Sequence, residues 1–155
     1  MTESRIEARI RELGYELPVA PAPVAAYVPA VTSGSYVYTS GQLPFVDGVL
    51  PATGKVGAEI SPEDAATYAR QAVLNALAAV DALVGIDAVT RVLKIVGFVA
   101  SAEGFTGQPA VVNGASHLVG EIFGDAGAHV RSAVGVAELP LSSPVEVELV
   151  VEIAH

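Results

Sequence analysis

The nine residues from 145 to 153 constrain this chain more than any other segment. Val145, Val147, Leu149, Val151 and Ile153 alternate with Glu146, Glu148, Val150 and Glu152. Successive side chains of a strand point to opposite faces, so one face here is wholly apolar and the other mostly acidic. Such a strand needs a cover for its apolar face, and the cover must come from elsewhere in the chain. Two segments have the right period. In the first, Ser61 as N-cap, Pro62 at N1 and Asp64 at N3 signal a helix start. Apolar residues then recur at Ala66, Ala69, Val73, Leu77, Val80 and Val84, until Gly85 stops the pattern. In the second, Pro109 opens a helix with Val111, Ala115, Leu118 and Ile122 in one stripe. Val112, Val119 and Phe123 lie beside that stripe, and Gly124 ends the helix.

The remaining segments complete an α+β pattern. Val89–Ala100 is β-branched without clean alternation and reads as a strand buried on both faces. Val130–Ala137 reads as a further strand, separated from the last by Leu139-Pro140 and Ser142-Ser143-Pro144. Earlier in the chain, Ala26–Val31 and Tyr36–Thr39 are strand candidates around a Ser33-Gly34-Ser35 turn. Asp47-Gly48 between Val46 and Val49 is a hairpin signal that supplies a third. Residues 3–13, with Ile6, Ile10 and Leu13 among Glu and Arg, read as a short amphipathic helix ended by Gly14. The proline-rich stretch 17–24 that follows is too apolar for a free linker and is expected on the domain surface. The expected order is α, β-β-β, α, β, α, β-β, with helices on one sheet face. The expected organisation is one domain over residues 1–155, with 1–20 as an N-terminal helix and proline-rich extension.

Composition removes several function classes. Apolar residues make up 52% of the chain, led by 26 alanines and 25 valines, which excludes disorder. A bilayer span is not expected: the richest stretch, 72–84, is interrupted by Asn75 and Asp81 and is shorter than the roughly 20 residues needed. Residues 1–16 are charged and hold no apolar signal core, so the expected compartment is the cytoplasm. There is no cysteine, hence no disulfide, thiolate zinc site or cysteine nucleophile. The net charge is −9 and the only lysines are Lys55 and Lys94, which disfavours a nucleic-acid partner. Charged residues reach only 16%, and so little charge for so much apolar content points to surface buried between subunits.

Few residues are placed for chemistry. His117, His129 and His155 show no metal-ligand spacing, so neither a metal nor a cofactor is expected. Thr53-Gly54-Lys55 lacks the rest of a phosphate loop and reads as a surface turn. Ser40-Gly41 is outside any GxSxG and reads as a turn serine. Arg131 stands out as the one arginine in the last third of the chain, at the start of a strand with almost no other charge. A guanidinium there needs a partner that fits its fork. One candidate is a glutamate of the last strand (Glu146, Glu148 or Glu152), giving a structural ion pair. The other is a substrate carboxylate, with a glutamate handling water or a proton.

At these residues the sequence resembles the Rid superfamily of reactive intermediate deaminases, also called the YjgF family. Ala26-Tyr27-Val28 resembles the family's early Pro-Tyr segment, and Tyr38-Thr39-Ser40-Gly41-Gln42-Leu43-Pro44 its T-S-G-Q-hydrophobic-P signature. Val112-Asn113 resembles the V-N that opens the family's second long helix. The run from Arg131 to Pro140, RSAVGVAELP, resembles the A-R-S-x-V-x-V-x-x-L-P signature. Pro144-Val145-Glu146-Val147-Glu148 resembles the closing V-E-I-E strand. The pieces run in order over most of the chain. Relative to compact members, this sequence adds the first 20 or so residues and an enlarged 101–108 loop. It also carries Ala133 where the best-known deaminases often have cysteine.

The resemblance implies a chorismate-mutase-like α+β fold with two long helices on one face of the sheet, assembled as a homotrimer with sites between subunits. It implies that Arg131 binds a substrate carboxylate and that Glu146 serves the attacking water. Tyr27, Ser40 and Asn113 would line the pocket, and the backbone at Ala133 could still contribute its N–H. The implied reaction is hydrolysis of a reactive enamine or imine to a 2-keto acid and ammonia, without a cofactor. A non-catalytic sensor of small carboxylates using the same clefts is the alternative. The ribonuclease activity attached to some relatives' names is disfavoured by the charge.

Overall fold

The two long helices form where their caps place them. A computed structural model of the chain describes residues 3–20 and 26–154. Helix α1 spans Arg5–Glu12, α2 Pro62–Val84 and α3 Gln108–Phe123. The strands are β1 Ala30–Ser33, β2 Tyr36–Thr39, β3 Val89–Ala100, β4 Val130–Val136 and β5 Val145–Ile153. At the start of α2 the Ser61 hydroxyl accepts the Asp64 N–H at 3.1 Å, and Glu63 and Asp64 place negative charge in the first turn. Gly85 (φ 81°) and Gly124 (φ 62°) end α2 and α3 in backbone conformations that L side chains seldom adopt.

The five strands form one sheet in the order β1-β2-β5-β3-β4. Only β3 and β4 are parallel, joined through α3; the other neighbours are antiparallel. The helices cover one face. Beneath them Val37, Val92, Ile95, Val99, Val145, Val147, Leu149 and Val151 are fully buried. This is the apolar face that the closing alternation requires.

Three local expectations are corrected. The first strand starts at Ala30, not Ala26: Pro29 has no N–H to give a ladder, so pairing starts after it. The Asp47-Gly48 turn forms, with both residues at positive φ (50° and 79°), but it closes a single bridge between Val46 and Val49 rather than a third strand. Pro44 and Pro51 bracket it and limit the ladder. Finally, β3 is buried on one face only. Thr90, Arg91 and Lys94 are exposed, because no layer of the described residues covers the second face. That face also leaves Val31 (48%), Tyr36 (42%), Tyr38 (45%) and Val134 (41%) open to solvent.

The N-terminal helix is part of the core. Ile6 and Ile10 are buried in the main apolar cluster. The Asp87 carboxylate accepts from Ser4 Oγ (2.8 Å), the Arg5 N–H (3.0 Å) and the Ile6 N–H (2.9 Å). The Ile6 amide, opposed by slight desolvation and aided by Ser4 and Arg5, holds this carboxyl below the usual aspartate range. Beyond α1, Leu17 packs against the core and Val19 is exposed. The rest of the proline-rich stretch, 21–24, lies outside the described residues.

Helices α2 and α3 cross with almost no space between backbones. A Cβ at Gly114 would collide with the Ala66 carbonyl, whereas one at Gly120 on the same helix would meet nothing within 4 Å. Gly114→Ala is therefore expected to destabilise the protein by about 3 kcal/mol, the upper range for overpacking a core. Gly120→Ala should raise stability by about 0.5–1 kcal/mol through helix propensity. Urea melts of the two variants check this pair; equal stability would show that the helix crossing yields easily.

Candidate active site

The sequence-predicted residues fall into two groups. The first is built on β4 and α3. In register Arg131 lies beside Ile95, and Ala133 beside Gly97. Both side chains therefore stand on the helix-covered face, and Arg131 reaches α3 along the sheet edge. Its Nη1 donates to Asn113 Oδ1 at 2.7 Å and to Ser116 Oγ at 3.2 Å. Its Nη2 donates to the Pro109 carbonyl at 3.3 Å. Gly135, next on this face, lies under the 101–108 loop: a Cβ there would stand 2.7 Å from Gln108 Nε2 and 3.0 Å from Ser101 Oγ. Gln108 closes that loop by donating to Ser101 Oγ (3.1 Å) and to the Phe105 carbonyl (2.9 Å).

The pairing of Arg131 with a glutamate of the last strand does not occur. Strand β3 separates β4 from β5, and Glu146 pairs in register with Phe98 while Arg131 pairs with Ile95. The parity puts the two side chains on opposite sheet faces. Among the described residues the guanidinium makes no ion pair and is held by neutral acceptors alone. A half-buried cation without a counter-charge, with hydrogens to spare, is suited to an anionic ligand.

The second group surrounds Glu146. The Thr39–Gln42 segment is stitched to β5 at both ends. Thr39 Oγ1 accepts the Leu149 N–H at 2.9 Å, and Gln42 exchanges both backbone hydrogen bonds with Val147. Ser40 and Gly41 loop out between these anchors, over the Glu146 carboxylate. A Cβ at Gly41 would stand 2.5 Å from Glu146 Oε1, so any side chain there would have to push the carboxylate aside. The Ser40 hydroxyl donates to the Val28 carbonyl at 2.7 Å. Its proton is committed to the backbone, which suits a positioning serine. Tyr27, adjacent to Val28, is 65% exposed. Glu146 is half-buried and titrates above the usual glutamate range, chiefly through desolvation and secondarily through the charge of Glu148.

Among the described residues, the others with chemical potential do not join these two groups. Lys55 pairs with Glu138 at 3.1 Å. His117 is exposed on α3, and His155 lies outside the described residues. A cavity of about 750 Å³ lies over α2, lined by Tyr15, Leu17, Phe45, Leu74 and Asn75 among others. It contains none of the six candidates, and its only charged walls are Glu16 and Asp47, so it has no cation for a carboxylate. Sequence reasoning missed Ser116 and His129, whose side chains hydrogen-bond at 2.8 Å beside Arg131. The signal was available: His129 and Arg131 are two apart, on one face of an extended segment, and Asn113 and Ser116 are three apart on one helix.

The family model of endoribonuclease L-PSP matches residues 17–153, nearly the whole chain. The protein belongs to the endoribonuclease L-PSP family. This is the YjgF/Rid superfamily, to which the T-S-G-Q and R-S-x-V segments point. The chain is 41% identical to Protein TCP17 of Trypanosoma cruzi, over 99% of this chain and 97% of that one. It is 36% identical to the 2-iminobutanoate/2-iminopropanoate deaminase of Escherichia coli K12, over 84% of this chain and 90% of the relative. Among solved structures, Atu1372 of Agrobacterium tumefaciens superposes with a TM-score of 0.90 at 43% identity, covering 96% of this chain and 92% of that one. That coverage takes in most of the N-terminal extension. E. coli TdcF, solved with bound serine, superposes with a TM-score of 0.63 at 27% identity, covering 87% and 94%.

Proposed function

We propose that the protein hydrolyses small carboxylate-bearing imines, formed from reactive enamines, to 2-keto acids and ammonia. The observation that carries this reading is the Arg131 guanidinium, held by Asn113, Ser116 and Pro109 without a counter-charge. The deaminase relative at 36% identity and the serine bound by TdcF support it. In this reading Arg131 binds the substrate carboxylate in a fork of two hydrogen bonds. Glu146, with its raised proton affinity, accepts a proton from water as the water oxygen bonds to the imine carbon. Returning that proton to nitrogen gives a carbinolamine; its hydroxyl proton then passes by way of the same carboxylate to the amino nitrogen as the C–N bond breaks, which forms the keto-acid C=O and releases ammonia. Tyr27, Ser40 and the Ala133 backbone line the pocket. Imines hydrolyse readily, so positioning supplies most of what the reaction needs.

Because Arg131 and Glu146 stand on opposite sheet faces, one chain does not assemble this site. We assign the missing half to a second copy, with the β4 edge of one subunit meeting the open sheet face of the next. The exposed Tyr36, Tyr38, Val31 and Val134 are the apolar surface such an assembly would bury, and a homotrimer closes it. Ribonuclease chemistry fits poorly with a net charge of −9 and two lysines.

The test couples a serine or threonine dehydratase, as the source of 2-aminoacrylate or 2-iminobutyrate, to this protein. Faster keto-acid release is expected, from a species that sediments as a trimer. No acceleration together with tight 2-ketobutyrate binding would favour a sensor, and an active monomer would overturn the shared site.

A further inference from the structure

The hydrogen on His129 is assigned by its partners. Nδ1 lies 2.6 Å from the Gly127 carbonyl, which can only accept, so Nδ1 carries the hydrogen. Nε2 of the neutral ring is then an acceptor, 2.8 Å from Ser116 Oγ, and the Ser116 hydroxyl points at it. A helical serine otherwise tends to bond back to the carbonyl four residues earlier; His129 removes that alternative. With its hydrogen turned toward the ring, Ser116 Oγ offers a lone pair to Arg131 Nη1 at 3.2 Å. The second Nη1 hydrogen goes to Asn113 Oδ1, and one Nη2 hydrogen to the Pro109 carbonyl. Among the described residues, three of the five guanidinium hydrogens are thereby used. Nε–H and one Nη2–H are left, on two nitrogens that can grip both oxygens of a carboxylate.

We infer that Ser116 and His129 are positioning residues: the chain Gly127 carbonyl–His129–Ser116 fixes the rotation of the Arg131 guanidinium so that its free donors face a carboxylate ligand. The need for such a device follows from the missing counter-charge. A guanidinium with an acid partner is oriented by that acid; this one is oriented by neutral acceptors, and Ser116 accepts reliably only while its own hydrogen is directed elsewhere. The inference rests on the reading that Arg131 takes the substrate carboxylate. Neither Ser116 nor His129 is assigned a contact with substrate.

The test uses the full-length protein and the variants Ser116→Ala, His129→Ala and His129→Gln. Gln can present an amide oxygen where Nε2 stood. Ser116→Ala and His129→Ala should raise KM for 2-iminobutyrate and Kd for 2-ketobutyrate about tenfold, the effect of losing one charge-assisted hydrogen bond. The change in kcat should stay below about twofold, and His129→Gln should recover most of the affinity. Nitrogen-15 NMR should find the Nδ1–H tautomer of His129 in the wild type. It should also find slow rotation of the Arg131 guanidinium, which speeds up in both alanine variants. Unchanged KM and Kd in folded variants, or the Nε2–H tautomer, would overturn the inference. If the wild type binds 2-ketobutyrate without turnover, the deaminase reading fails and the Kd series still decides this one. If it binds nothing, the guanidinium rotation decides: equal rates in wild type and variants reject the relay.

Discussion

Arg131→Ala is expected to lower kcat/KM for 2-iminobutyrate by about 10²–10⁴-fold, the equivalent of two charge-assisted hydrogen bonds to a carboxylate. The fold should survive. Arg131 sits on the edge strand β4, and its partners are two half-buried polar side chains and one carbonyl. Water can replace the lost donor at each of them, and no charge is left buried alone, the usual cause of large losses when an ion pair is broken. Thermal unfolding should therefore move by only a few degrees while activity disappears. Arg131→Lys separates charge from shape: it keeps the cation, loses the planar fork, and should retain part of the carboxylate affinity. Steady-state kinetics with enzymatically generated imine, alongside calorimetric binding of 2-ketobutyrate, checks both variants. Full activity in Arg131→Ala would remove the arginine from the mechanism.

The elements of the fold were readable because each carries its own local code. Ser61, Pro62 and Gly85 bound α2 to the residue, and the alternation of Val145–Ile153 both locates β5 and assigns its faces. Failures cluster where proline and the uncovered face intervene. Pro29 shortens β1, Pro44 and Pro51 restrict the 46–49 turn, and β3 is open on one side because no described element packs on that face. The site was readable as residues and not as geometry. Arg131 and Glu146 are 15 positions apart and adjacent in the pattern, which suggests contact. Whether they meet depends on parity and strand order, and β3 comes between them only because the chain inserts β5 between β2 and β3. In the sequence His129 shows no ligand spacing and nothing that ties it to Arg131 beyond standing two positions before it. Its significance comes from α3, which brings Ser116 to within 2.8 Å.

The two halves of the proposed site differ in what they cost the fold. Arg131 has three of its donors engaged by neutral acceptors, whereas the charge of Glu146 is disfavoured where it stands. It is half-buried beneath Gly41, with Glu148 adding charge on the same face, and its carboxyl is pushed above the ordinary value of 4.5 by burial and then by that neighbour. The sign follows from linkage. A carboxyl with a raised folded-state pKa binds more protons folded than unfolded, so stability falls as pH rises from the ordinary glutamate value through the raised one. Above that window the ionised group is a constant penalty. Glu146→Gln removes it while keeping the shape that Gly41 accommodates.

The variant should therefore melt higher than wild type at pH 7–8, and the difference should shrink to nothing below about pH 4, where the carboxyl is protonated in both states. Its activity should fall by about 10²–10⁴-fold, the usual range for losing a general base, with 2-ketobutyrate affinity largely kept because Arg131 is untouched. Melting curves across pH, read beside the kinetics, test the two halves of this claim separately. A variant that is inactive and less stable at neutral pH would make Glu146 a structural residue. One that is more stable and still active would transfer the base role to another group. The expected combination, higher stability with lost turnover, is the signature of a carboxylate kept in an unfavourable place for its chemistry.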